Sequence, residues 1–341
     1  MPLSTRWPLS FRLPLASRRW QIVFSSGVLL GLLGLLWVEI SSRENLEMLW
    51  PVFVRQIFAA NWVWLVLAFM LMPFNWLAET WKWHRMIRRW TPVSLWRSLI
   101  AVWVGVSFSL FTPNRVGEYG GRILLIQPRH RWKAAIANLI GNYSQLLVLL
   151  TAGIGGGLYY AARFWYTDPH WQGVFAGAAL LLLSVLYLFY FNLGWLVTLL
   201  HRIPWLNNRQ FLVREARVLQ LFNTAELTGL LGWALVRYGI YSTQYYLLLC
   251  FFGITPGLSA GYAGISAIFL LQTSLPLPPL TALVARGNLA VQIWLPFGAN
   301  ALSSLAATFT LWILNLILPA LIGTFSLFYV NITKSPGHED D

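Results

Sequence analysis

With 341 residues, 57% of them hydrophobic and only 10% charged, the chain carries too little charge for a soluble domain, where about a quarter of residues are charged. Its 24 Lys and Arg outnumber 11 Asp and Glu, a formal +13, yet the basic residues are grouped between apolar runs rather than along one patterned face. That grouping suits loops over anionic lipid and argues against nucleic-acid binding, so an all-α polytopic membrane protein is predicted.

Residues 1–19 carry Arg6, Arg12, Arg18 and Arg19 and are expected as a basic cytoplasmic segment. The apolar run from Trp20 to Ile40 is long enough to cross a bilayer, which takes about 20 residues. It lacks a small-residue cleavage site and many spans follow, so an uncleaved first helix of the cytoplasmic (inner) membrane is expected, with its N-terminus inside. Ser41 to Phe58 is nearly balanced in charge. Further spans are predicted at Asn61 to Thr80, Trp96 to Thr112, Ala134 to Ala161, Val174 to Leu199, Leu227 to Phe252, Tyr262 to Ser274, Leu289 to Thr308 and Thr310 to Val330. Two of these are short, so the pattern reads as about 8 transmembrane helices with two re-entrant or broken-helix segments. One transmembrane domain is expected over 20–330, with a polar tail at 331–341. The basic stretches Lys82 to Arg97, Arg129 to Lys133 and His201 to Arg217 are assigned to the cytoplasm, whereas Asp168 to Gln172 carries no Lys or Arg.

Glu79 closes the second predicted span, before Trp81-Lys82-Trp83, and is expected at the membrane interface in a local pair with Lys82. The most informative feature comes next: Thr112-Pro-Asn-Arg-Val-Gly-Glu-Tyr-Gly-Gly-Arg122 interrupts the apolar pattern with charges, a proline and glycines. Irregular, charged backbone at membrane depth must be buried in protein or line a wet cavity. Because Arg97 and Arg129 are both assigned inside, the chain must descend to Thr112 and return from Pro113 to about Gln127. Thr112 is expected to cap the second limb and Pro113 to occupy its first position. On that limb Arg115, Glu118 and Arg122 recur at steps of three and four and share a face. Two arginines against one glutamate leave positive charge at a helix N-terminus that itself favours anions, and the guanidinium fork suits phosphate or carboxylate. Asn114, Arg115, Glu118 and Arg122 are therefore candidate ligand-binding residues. The plain structural account is a salt-bridged clasp between broken helices.

Asn138, Asn142 and Gln145 lie along one face of the following span, as interhelical hydrogen bonding requires. Gly153, Gly155, Gly156 and Gly157 fit close helix packing, since no soluble strand precedes them and no Lys-Ser/Thr follows. The stretch Asn207 to Asn223, with Arg209, Arg214 and Arg217 opposite an apolar stripe, is expected on the cytoplasmic surface. Arg237 sits about ten residues inside its span with no acidic neighbour within a turn or two, and needs a partner from elsewhere or a wet cavity. The single cysteine, Cys250, excludes an intramolecular disulfide and a Cys-based metal site.

A second break, Thr273-Ser-Leu-Pro-Leu-Pro-Pro-Leu-Thr-Ala-Leu-Val-Ala-Arg-Gly-Asn288, again ends a short apolar segment. It adds Arg286 and Asn288 to the candidates. Interrupted segments in corresponding halves of a chain point to a transporter's midplane site, and the half-chain offset between Arg122 and Arg286 suggests an inverted repeat.

The Pro, Arg, Gly-Glu and Gly-Gly break, the preceding Glu79 with Trp81-Lys82-Trp83, and the second Pro-rich break resemble the lysylphosphatidylglycerol synthase transmembrane-region, or flippase-like, family over about Trp20 to Val330. The resemblance implies an all-helical fold with re-entrant segments. It also implies movement of a phospholipid or polyprenyl phosphate headgroup across the membrane. Prolines, Ala285, Arg286 and Gly287 stand where members commonly read Pro, Gly-Gly, Gly and Glu. No soluble aminoacyl-transferase segment is evident, so lysine transfer is not expected. A lipid flippase or transporter is the leading expectation, with Arg115, Arg122 and Arg286 holding an anionic headgroup, Glu118 positioning an arginine or competing for it, and Arg237 a further candidate binding residue in a cavity. It is expected to need no cofactor or metal and to take an anionic lipid as partner; a homo-oligomer is compatible with the sequence. An intramembrane enzyme acting on a lipid phosphate is disfavoured, because no clustered Asp, His or Cys offers metal ligands or a nucleophile with its base. A non-transporting scaffold subunit of an envelope-lipid pathway is the third reading.

Overall fold

A computed structural model describes residues 34, 46–110, 112, 116–164, 168–202, 215, 217–274 and 279–329. The expected first helix at Trp20 to Ile40, Gly34 aside, lies outside the described residues, as do the basic 1–19 segment, the polar tail and most of Asn207 to Asn223. From Glu47 onward the chain forms one compact unit. Among the described residues every regular element is helical: α1 Leu46–Ala59, α2 Trp62–Ile87, α3 Leu95–Ser109, α4 Gly117–Ile123, α5 Arg131–Phe164, α6 Pro169–Phe191, α7 Leu193–Arg202, α8 Thr224–Phe251, α9 Leu258–Ser274, α10 Pro279–Trp294, α11 Ala301–Trp312 and α12 Leu318–Tyr329.

Local chemistry sets the helix starts. Asn61, Ser94, Asp168 and Asn300 each accept a hydrogen bond from a backbone N–H in the first turn that follows. Asn223 and Glu226 close a reciprocal capping box at the head of α8. Among the described residues four spans are long and apolar enough to cross a membrane: Trp62–Ile87, Pro128–Phe164, Pro169–Phe191 and Ala301–Ser326. Helix α8, at 28 residues, is also long enough at about 1.5 Å per residue. The distribution of polarity is the reverse of a soluble protein's. Trp62, Val63, Phe69, Met70 and Phe74 of α2 point outward, while Asn75, Glu79 and Lys82 of the same helix are buried. This is a multi-pass membrane protein.

Helices α2 and α8 form the central seam and run antiparallel. Moving along α2, the rings of Trp62 and Phe251 meet at 5.2 Å, Gln244 donates to the Ala68 carbonyl at 2.9 Å, Arg237 meets Glu79 at 3.0 Å, and Arg89 meets Glu226 at 2.6 Å. Each seam helix is followed by two shorter helices and then a long one. Helix α3 lies antiparallel to α12, where Ser107 donates to the Ala320 carbonyl at 2.7 Å. Helix α9 lies antiparallel to α5, where Gly153 faces Leu270 and Gly156 faces Ala263 and Ser266. Two apolar cores result: Trp83, Val102, Ile140 and Leu227 at one end of the seam, and Tyr245, Ile268, Trp294 and Leu311 at the other.

Several predicted boundaries are corrected. The charge-balanced stretch Ser41 to Phe58, to which no span is assigned above, contains most of helix α1. The second span does not stop at Thr80 but continues to Ile87, carrying Lys82 inward. The span predicted to reach Leu199 ends at Phe191, where Asn192 breaks the helix and bonds back to the Leu188 carbonyl at 2.9 Å. No span covers Leu289 to Thr308: α10 ends at Trp294, Gly298 turns at φ +66, and α11 starts after the Asn300 cap. Conversely, the break placed at Thr308 to Thr310 is absent. Thr308 donates to the Ser304 carbonyl at 2.8 Å inside a helix that runs on through a π-helical turn, Ile313–Ile317, to Tyr329. Hydropathy averages over such joints, whereas caps, Pro296 and a left-handed glycine decide them locally.

Candidate functional site

The charged motif folds as a tight hairpin. Helix α4 is only seven residues long, about 10 Å, and so does not itself return through a bilayer as the sequence suggested. It starts at Gly117 rather than Pro113, so its cap position is Val116 and not Thr112; Thr112, five residues before the helix, reaches its first N–H instead, Oγ1 accepting from Gly117 at 2.6 Å. Glycine permits the fold: a Cβ on Gly121 would stand 2.7 Å from the Gly105 Cα and 2.8 Å from the Val104 carbonyl oxygen. Helices α3 and α4 therefore touch backbone to backbone. This contact aims Glu118 and Arg122 at the α2–α8 seam.

There they meet a buried ionic cluster centred on Glu79, which is 1% exposed. Glu79 Oε1 accepts from Arg122 Nη2 at 2.8 Å, and its Oε2 accepts from Lys82 Nζ at 2.8 Å and Arg237 Nη1 at 3.0 Å. Arg122 also pairs with Glu118 and donates through Nη1 to Asn138 Oδ1 at 3.0 Å. Lys82 donates onward to the Gly141 carbonyl at 3.1 Å. Beyond the charges, Arg237 Nε donates to Asn75 Oδ1 at 3.2 Å, Asn75 bonds to Asn315 on the π-helical turn, and Asn315 donates to Gln244 Oε1 at 3.1 Å. Aromatic faces flank both arginines, Arg122 lying 5.5 Å from the Trp83 ring centre and Arg237 5.9 Å from that of Trp76.

Desolvating an ion costs several kcal/mol even after relaxation, so these buried charges persist only because every one of them is ion-paired, several through the shared carboxylate of Glu79. Among the described residues the cluster holds three cations, Lys82, Arg122 and Arg237, against two carboxylates, Glu79 and Glu118. Arg237 is its most open member, with 21% of its side chain exposed, against 1% for Arg122. Such a constellation can exchange one oxyanion for another on its guanidinium groups.

A model of the lysylphosphatidylglycerol synthase TM region matches residues 20–323. The chain belongs to that family. No match was found among curated proteins or among solved structures.

In this family member the structure brings together Glu118, Arg122 and Arg237. Arg286 is half-buried and Asn288 exposed on α10, which packs on α9 and α11, whereas α4 packs on α3 and α5. Asn114 and Arg115 lie outside the described residues. Glu79 corrects its sequence reading: it is no interfacial residue pairing only with Lys82, but the buried hub of three ion pairs. Arg237 finds its partner in that hub. The signal that could have revealed Glu79 was its spacing, since Asn75, Glu79 and Lys82 at steps of four and three mark a polar stripe on an apolar helix. Asn315 and Gln244 gave no such signal. Among the described residues no group of three or more His, Cys, Asp or Glu could hold a metal ion.

Proposed function

We propose that this protein is a lipid flippase or transporter of the inner membrane, N-terminus cytoplasmic, that binds the phosphate of an anionic lipid or polyprenyl-phosphate headgroup at the arginines of the hairpin and seam. It is not an enzyme in this reading. The observation that carries it is the convergence of Arg122, from the hairpin, and Arg237, from the opposite-running seam helix, on one buried carboxylate. A structural clasp does not need an arginine that keeps 21% of its side chain exposed, as Arg237 does.

The packing supports the same reading. Helices α2, α3 and α4 and helices α8, α9 and α10 start roughly 160 residues apart, with antiparallel seam partners and reciprocal cross-packing, as inverted-topology repeats require. The two short pairs are then re-entrant hairpins entering from opposite faces, with Arg122 on one and Arg286 and Asn288 on the other. In this conformation Arg122 is committed to Glu79 and Glu118, so a ligand must displace a carboxylate to reach it. Displacement gives the ligand different affinities for two arrangements, which alternating access demands.

Translocation of fluorescent phosphatidylglycerol in proteoliposomes tests this. Arg237→Gln and Arg115→Ala are expected to abolish it while the protein stays folded by circular dichroism. Translocation at the wild-type rate in both variants rejects the proposal. Covalent change of the labelled lipid by purified protein would instead mark an enzyme.

A further inference from the structure

We propose that Glu79 is the protein's internal stand-in for the ligand's phosphate, a positioning and specificity residue that occupies the anion site and is displaced when the ligand enters. The inference rests on the lipid-binding reading above and deepens it.

Glu79 presents two oxygens to three cations from three helices: Lys82 of α2, Arg122 of α4 and Arg237 of α8. Two guanidinium groups and an ammonium around one oxyanion is the donor set that a phosphate recruits. A carboxylate does not exhaust that set. Among the described residues, Arg122 Nε, Asn138 Nδ2 and Trp83 Nε1 are buried without an acceptor. All three are N–H donors on side chains 1% exposed or less. They are also neighbours, because Arg122 bonds to Asn138 and lies over the Trp83 ring. Buried donors without acceptors are unfavourable. A lipid phosphodiester adds two ester oxygens to two charged ones, and free phosphate has four unesterified oxygens, against two in a carboxylate, so either can take over the Arg122 and Arg237 bonds and reach donors that Glu79 leaves unmade.

Displaced Glu79 is not left bare. Lys82 lies one turn along the same helix and is held by the Gly141 carbonyl as well, so this pair persists when the two arginines turn to the ligand. The exchange also has a mechanical consequence. Glu79–Arg122 ties α4 to α2, and Glu79–Arg237 ties α2 to α8, so the same substitution that seats a phosphate unties the hairpin and the seam. The return of Glu79 then drives ligand release.

The test uses the full-length protein and two probes, phosphatidylglycerol in phosphatidylcholine nanodiscs and inorganic phosphate. Glu79→Gln is expected to bind phosphatidylglycerol at least about tenfold more tightly yet translocate it more slowly, because the competitor that ejects the ligand is gone. Should Glu79→Gln fail to fold, Glu79→Gln/Lys82→Gln removes one charge of each sign, keeps both arginines, and carries the same expectation. Unchanged or weaker binding by a folded variant overturns the proposal. Tighter binding of inorganic phosphate alone supports the stand-in role and identifies the ligand as free phosphate. If the wild type binds neither probe, the transport reading fails first, which is a distinct result from equal binding by wild type and variant.

Discussion

At the scale of single residues, the cluster at Glu79 shows how burial turns ordinary ion pairs into interdependent ones. Lys82 is 1% exposed and touches both Glu79 and the Gly141 carbonyl. Removing one partner of a buried pair leaves an uncompensated charge, at about 3–5 kcal/mol, so Lys82→Met should lower unfolding stability by that order. Glu79→Gln/Lys82→Gln should cost clearly less than the two single substitutions added together, because the pair is coupled. Reversible unfolding in mixed micelles measures both, and simple additivity would mean that the two side chains act independently. A more exposed pair such as Arg89 with Glu226 carries much less of that penalty. Sequence reading singled out Glu118, Arg122 and Arg237 as candidates because lone charges in apolar runs are conspicuous. It misplaced Glu79 because Trp81, Lys82 and Arg85 beside it imitate an interfacial helix end. Only the course of α2 to Ile87 puts that segment inside.

At the scale of elements, the α3–α4 hairpin depends on backbone contact. A methyl group on Gly121 meets backbone atoms that cannot rotate away, whereas a methyl on Gly120 meets nothing within 4 Å. Gly121→Ala should therefore destabilise by about 1–3 kcal/mol, the usual cost of overpacking, and impair translocation. Gly120→Ala should be neutral or stabilising by up to about 1 kcal/mol through helix propensity. Thermal unfolding of the two purified variants checks the contrast, and equal behaviour would contradict the close packing. The glycines were visible in the sequence, but which of them faces the neighbour depends on the rotation of α4. The π-helical turn at Ile313–Ile317 was not legible either. It admits Asn315 to the polar chain between Asn75 and Gln244, a long-range demand that leaves no local pattern.

At the scale of the whole molecule, the antiparallel α2–α8 seam makes a topological prediction. The loops that follow these helices, near Pro92 and Thr255, both expose their side chains and should lie on opposite faces of the membrane. In a Cys250→Ser background, Pro92→Cys and Thr255→Cys should react with a membrane-impermeant maleimide from opposite sides of sealed vesicles. Labelling of both from one side would rule out the inverted arrangement. Local hydropathy alone settled that the chain resides in a bilayer and that its fold is helical, because hydropathy is a property of each segment by itself. What only tertiary structure decided is which charges meet. Ion pairs such as Glu79 with Arg237 join residues far apart in the chain, and their partners are set by how helices stack and rotate against one another, which no local stretch of sequence encodes.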